Sequence, residues 1–187
     1  MTVRTIHLTT PLKIADLKDL KIGDKVLLSG EVYTARDAGH KRLVKLIHEG
    51  APLPFNPKGA VIYYTGPTPA REGQIIGSCG PTTSSRMDAY MEDIVSAGIK
   101  ATIGKGGRSA EVREIQKKYG AVYFSAVGGT GAILSENVTK VELVAWEDLG
   151  TEALRRLTVK DFPVIVANDL AGGDIFLEAR AQWSKKI

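Results

Sequence analysis

Apolar residues fall along this chain in short unbroken or alternating runs, separated by stretches in which they return every three or four positions. That pattern predicts strands interleaved with helices. Residues 4–9 alternate as a strand does, and Leu17, Leu20 and Ile22 before Gly23-Asp24 mark a short helix and a turn. Residues 25–33 read as a buried strand. The helix after it opens at Thr34-Ala35-Arg36-Asp37, which fits a capping box, with Leu43, Leu46 and Ile47 as its apolar stripe and Gly50 at its end. Further strands are predicted over 60–64, 74–79, 99–103, 121–126, 138–146 and 157–167, the last interrupted by Asp161-Phe162-Pro163 with an edge or bend at the Pro. Further helices are predicted from Ser85 towards Gly98, from Ser109 with Val112, Ile115 and Tyr119 on one side, and over 174–184. The expected fold class is α/β of the mixed kind, a single domain over residues 1–187. In such folds the loops after the C-terminal ends of the strands carry ligands.

One of those loops organises the rest. Gly80-Pro81-Thr82-Thr83-Ser84-Ser85-Arg86-Met87-Asp88 joins the 74–79 run to a helical pattern in which Met87, Tyr90, Met91, Ile94 and Val95 share a face. Ser85 and Asp88 fit a capping box, which places Arg86 in the first turn and leaves Thr82, Thr83 and Ser84 in the loop. A helix N-terminus carries partial positive charge, so a cation there is disfavoured unless an anion lies between it and the exposed amides. Arg36 repeats the arrangement, and Lys105 lies among Gly104, Gly106 and Gly107 in a third strand-to-helix loop. Glycine suits places where the backbone approaches a ligand or takes positive φ. Cations converging from three such loops suit a dicarboxylate or a phosphate. Thr82 stands out because Ser85 can supply the cap without it. His40, four residues after Arg36, shares its face, whereas His7 and His48 fall on an edge segment and near a helix end. Asp37 and Asp88 read most simply as caps.

Composition narrows the field. The net charge of +4 comes from 25 basic and 21 acidic residues spread along the chain, with only 6% aromatics, which argues against a nucleic-acid surface. No window approaches a membrane span and the N-terminus lacks an apolar leader, so a soluble cytoplasmic protein is expected. The single cysteine, Cys79, read as packed in a strand, excludes an intrachain disulfide and cannot by itself ligate zinc or an iron–sulfur cluster. No metal site is therefore expected in this chain. The nucleotide motifs fail: Gly106 stands where a phosphate-binding loop needs Ser or Thr, and Leu134 where the Gly129-Thr130-Gly131 run needs a small residue.

Four motifs carry a resemblance that runs over essentially the whole chain. Thr34-Ala35-Arg36-Asp37-Ala38-Gly39-His40-Lys41-Arg42, Tyr63-Tyr64-Thr65-Gly66-Pro67, the 80–88 stretch and Gly104-Lys105-Gly106-Gly107 are similar, in order and spacing, to the C-terminal domain or β subunit of the iron–sulfur-dependent hydro-lyases, class I fumarase and L-tartrate dehydratase. The resemblance implies a swivelling β/β/α domain with helices packed on a mixed sheet. It also implies an α subunit that carries a [4Fe-4S] cluster; a heterotetramer or larger assembly is expected, with a homo-oligomer open to the isolated chain. Arg36, Arg86 and Lys105 would then bind the substrate carboxylates, with Thr82 acting at the carbon that loses or gains a proton. His40 is a weaker catalytic candidate, and Asp37, Thr83, Gly104 and Gly106 are supporting residues. Fumarate hydration to malate is the favoured reaction and tartrate dehydration the alternative. A stand-alone anion-binding or phosphotransfer domain is the rival class.

Overall fold

The computed structural model describes residues 4–184. In chain order its elements are β1 (Thr5–Thr9), α1 (Ile14–Leu17), β2 (Lys25–Thr34), α2 (Asp37–His48), β3 (Val61–Tyr63), a 3₁₀ helix (Ser84–Tyr90), α3 (Met91–Ser96), β4 (Ala101–Gly104), α4 (Ala110–Tyr119), β5 (Val122–Ser125), α5 (Gly131–Glu136), β6 (Val138–Ala145), a second 3₁₀ helix (Glu147–Glu152), β7 (Leu154–Asn168) and α6 (Ile175–Ser184). The mixed α/β expectation holds.

Strands β1 to β5 lie side by side and parallel, while β7 runs antiparallel to β5, β2 and β6. Because β7 pairs with both β2 and β5, the ladder β2-β3-β4-β5-β7 closes on itself. Closure gives two apolar faces, and β3, β4 and β5 are covered on both, as runs of Val, Ile and Tyr require. One cluster gathers Leu28, Val32, Tyr63, Ile103, Phe124, Leu157 and Phe162. The second lies under the helices, where Ile62, Tyr64 and Ile99 meet Leu43 of α2, Met87 of the first 3₁₀ helix and Ile94 of α3. Each such side chain taken fully out of water stabilises the fold by about 1.5–3 kcal/mol.

Several expectations are corrected. Residues 74–79 form no strand: Ile75 is exposed, and Cys79 is buried in irregular backbone, its N–H donating to the Gly131 carbonyl over 3.1 Å. The helix predicted from Ser85 is split into a 3₁₀ helix and α3. Neither capping box over these helices forms. Thr34 lies within β2, and its hydroxyl accepts from the Arg155 N–H over 3.0 Å. Asp88 turns away from its own helix to Arg108 and the Ser109 N–H. Arg36 is therefore the residue before the first turn of α2, with no side-chain cap of its own. The Ser109 start is as expected, its hydroxyl accepting from the Val112 N–H over 3.2 Å. The edge or bend expected at Pro163 falls instead two residues earlier, at Asp161 with φ +50°, while Pro163 stays in the ladder opposite Leu27.

Candidate active site

Four parallel strands end on one side of the closed sheet, and each sends a loop to the same place. After β2 comes Arg36; after β3 the long excursion brings Ser78, Gly80, Pro81, Thr82, Thr83 and Arg86; after β4 comes Lys105; after β5 come Gly129 and Gly131. Together they line an open cleft of about 440 Å³. Its wall is largely polar, and three cations face an anion-sized space.

Main-chain bonds hold the 80–84 stretch between two strand ends. Thr82 donates its N–H to the Tyr64 carbonyl over 2.6 Å and accepts the Lys105 N–H over 3.0 Å, while the Ser84 N–H donates to the Lys105 carbonyl over 2.9 Å. The excursion thus prolongs the ladder beyond β3 and β4, and Thr82 and Thr83 sit beside Lys105. Side chains at the end of β3 and two residues beyond it tie down the preceding residues: the Tyr63 hydroxyl donates to the Cys79 carbonyl over 2.5 Å and the Thr65 hydroxyl to the Gly80 carbonyl over 2.8 Å. Ser84 is buried and donates to the Tyr123 hydroxyl over 2.8 Å, which donates in turn to the Gly106 carbonyl over 2.7 Å.

The supporting glycines have distinct reasons. A Cβ on Gly104 would meet the Ser84 Oγ at 2.1 Å, the Tyr64 ring at 2.8 Å and the Thr82 carbonyl at 3.2 Å, so the Ser84 hydroxyl, the Tyr64 ring and the Thr82 carbonyl crowd the place of its missing side chain. Gly106 holds φ +80° in open space.

The cations are held unequally. Arg86 pairs with Asp37 through two contacts, Nε to Oδ1 at 3.1 Å and Nη2 to Oδ2 at 2.9 Å. Asp37 therefore orients an arginine and does not cap α2. Arg36 pairs with Glu152 at 3.2 Å. Lys105 has no carboxylate partner among the described residues and runs beside Gly128, whose missing Cβ leaves space next to its Cδ and Nζ. The hydroxyls of Thr82 and Thr83 accept no amide of the helix that follows them; Thr83 precedes that helix with no side-chain cap. Both are left available to a ligand.

His40 is not in the cleft. It is buried behind Arg36, its backbone N–H and its Nδ1 both directed at the Arg36 carbonyl, at 2.7 Å and 2.9 Å, and its ring lies against Tyr64 and Tyr90. An acceptor carbonyl fixes the proton on Nδ1. Burial, with the Arg108 charge adding to it, pushes the ring down to about 4, so it stays neutral. The structure thus sets His40, the weaker catalytic candidate, against the Arg36 carbonyl, Tyr64 and Tyr90 and not among the residues that line the cleft. His7 and His48 stand apart, exposed and paired with Asp161 and Asp93.

Sequence reasoning missed Ser78, Gly129, Gly131 and Glu152. The glycine loop at 128–131 had a usable signal, since it follows a strand as the other three loops do. Glu152 had none, because its partners are more than a hundred residues away.

Among the described residues no cluster of His, Cys, Asp and Glu is grouped to hold a metal ion, and Cys79 lies buried with its thiol towards the Gly131 carbonyl. These residues do not fit an iron–sulfur cluster. No helix among the described residues is long and apolar enough to cross a membrane.

The Fumarase C-terminus family matches residues 1–179. The chain belongs to that family. It is 37% identical over 178 residues to a putative L(+)-tartrate dehydratase subunit beta of Methanocaldococcus jannaschii, covering 92% of this chain and 91% of that protein. It is 33% identical to the L(+)-tartrate dehydratase subunit beta of Escherichia coli, covering 96% and 90%. Fumarate hydratase 2 of Leishmania major is 35% identical over 189 residues, 94% of this chain but 33% of its own length. The chain thus spans about a third of that fumarate hydratase and most of each tartrate dehydratase subunit.

Proposed function

We propose that this chain is the β subunit of a two-part hydro-lyase that interconverts fumarate and malate, and that it supplies the carboxylate-binding side of the active site. The observation that carries this reading is the meeting of Arg36, Arg86, Lys105 and Thr82 in one cleft, from loops after three parallel strands. Three cations suit two carboxylates: the arginines offer planar paired donors and Lys105 a point charge. Binding both ends of a C4 dicarboxylate fixes the carbon between them relative to Thr82. The Thr82 hydroxyl, unclaimed by the fold, is then the candidate that takes or returns the proton α to a carboxylate. A threonine hydroxyl is a weak base in water, so surrounding cations have to favour its deprotonated form.

A [4Fe-4S] cluster belongs, on this reading, to the α subunit, since the residues here cannot hold one. The subunit names of the tartrate dehydratase relatives support a partner chain, and their coverage at both ends gives tartrate dehydration as the second reading. The experiment is to combine the chain with a cysteine-bearing α subunit without oxygen and assay malate, fumarate and both tartrates. Activity on malate and fumarate is expected only from the combination. Turnover of a tartrate alone would replace the first reading with the second, and cluster absorbance in this chain alone would overturn the division of labour.

A further inference from the structure

Arg36 occupies a position that the local sequence does not stabilise. It stands at the N-terminus of α2, where the helix dipole repels a cation and where its own side chain caps nothing. One carboxylate from a distant element answers both defects. Glu152, the last residue of the second 3₁₀ helix, accepts the Ala38 N–H of the first turn of α2 through Oε2 over 2.8 Å, while its Oε1 lies 3.2 Å from Nη2 of Arg36. Each oxygen has a separate task.

The Glu152 segment is itself fixed. The Arg155 guanidinium donates to the Gly150 carbonyl over 2.8 Å and to those of Thr151 and Ala153 over 3.4 and 3.3 Å, and the Thr34 hydroxyl donates to the Ala153 carbonyl over 3.3 Å. On the other side Arg36 passes over Gly66, where a Cβ would stand 2.9 Å from Nη1 and 3.2 Å from the Thr151 carbonyl. The guanidinium therefore lies in a slot between Gly66 and residues 151–152, and His40 fixes the carbonyl end of the same residue.

We infer that Glu152 is a positioning residue of the cleft, which orients Arg36 for the substrate carboxylate through an ion pair and closes the N-terminus of α2 with the same carboxylate. This rests on the reading of Arg36 as a substrate ligand. A purely electrostatic role predicts the opposite sign: removing a negative charge next to a cation strengthens the binding of an anion, whereas removing an orienting partner weakens it.

The test uses the chain combined with its α subunit and succinate, a saturated dicarboxylate, as competitive inhibitor. Glu152→Gln keeps an oxygen for the Ala38 N–H and loses the charge. It should leave the thermal midpoint of the chain close to that of the parent while weakening succinate inhibition and raising KM about tenfold, with kcat changed far less. Glu152→Ala should show the same loss together with a lower thermal midpoint. In an Arg36→Ala background, Glu152→Gln should have almost no further effect on inhibition, because the residue it acts through is gone. Tighter or unchanged inhibition by succinate in Glu152→Gln overturns the inference, as does an equal effect in the Arg36→Ala background. If Arg36→Ala itself leaves inhibition unchanged, the reading of the cleft fails and this inference falls with it.

Discussion

Lys105 and Thr82 are joined main chain to main chain, the Lys105 N–H donating to the Thr82 carbonyl over 3.0 Å. The link sets a cationic residue and the proposed proton carrier side by side on the wall of the cleft, through backbone groups that substitution of either side chain leaves in place. Variants of either residue therefore report on chemistry and not on the loop. That makes the first two predictions clean.

Arg36→Ala, Arg86→Ala and Lys105→Ala should each lower kcat/KM in the combined enzyme by the equivalent of about 2–5 kcal/mol, since each leaves a desolvated carboxylate short of a charged partner. Arg86→Lys should also fail, because Asp37 is met by two arginine nitrogens and a lysine offers one. Steady-state kinetics with circular dichroism of each variant checks this. Near-normal kcat/KM in two of the three alanine variants would sink a shared carboxylate site.

Thr82→Val preserves shape and removes the oxygen, and should lower kcat by about 10²–10⁴ with a much smaller change in KM. Thr83→Val should be mild. Neither hydroxyl caps the helix that follows, so neither variant should lower the thermal midpoint appreciably. Exchange of the substrate α-proton with solvent deuterium decides the matter: wild-type exchange in Thr82→Val would place the base elsewhere.

Gly104→Ala should damage the site without touching a ligand contact. The added methyl meets the Ser84 Oγ, the Tyr64 ring and, at 3.2 Å, the Thr82 carbonyl, so the Thr82–Ser84 stretch has to shift. Overpacking of this kind costs about 1–3 kcal/mol of stability. Activity should fall further than stability does. Gly106→Ala has open space and should show only the cost of a left-handed φ, about 1 kcal/mol. Thermal midpoints and kcat of the two variants side by side test the contrast.

His40 links stability to pH. Its folded value, about 4, lies below the unfolded value of 6.5, so the unfolded chain binds the extra proton first. Stability from this residue is full above pH 6.5 and is lost as pH falls towards 4, by about 3 kcal/mol in all. Carboxylates join in at the lower end, so the clean window is pH 6.5 to 5. His40→Gln should flatten the decline of the thermal midpoint across that window, and an unchanged slope would remove His40 from the account.

Much of this protein was legible in its sequence, because the signals concerned are local. Periodicity located β2, α2, β4, α4, β5, β6, β7 and α6, and the alternation of strand and helix implied that successive parallel strands present their C-terminal ends together. Arg36 and Lys105 could be gathered at one edge on that ground, whereas Thr82 and Arg86 were gathered there through a strand at 74–79 that does not form, and they reach the edge on the excursion after β3. The structure decided what local patterns cannot carry. Apolar residues in 74–79 resembled a strand, yet no neighbour offers them a ladder, and Cys79 binds the Gly131 backbone instead. An orphan amide at a helix start needs an acceptor, but nothing requires that acceptor to come from the same turn. Glu152 serves Ala38 of α2 and Asp88 serves Ser109 before α4, displacing the capping boxes written into the sequence. The closing of the sheet by β7 has the same origin: a strand with two edges takes whichever partners the fold brings to it, and only the folded chain brings β2 and β5 to the same strand.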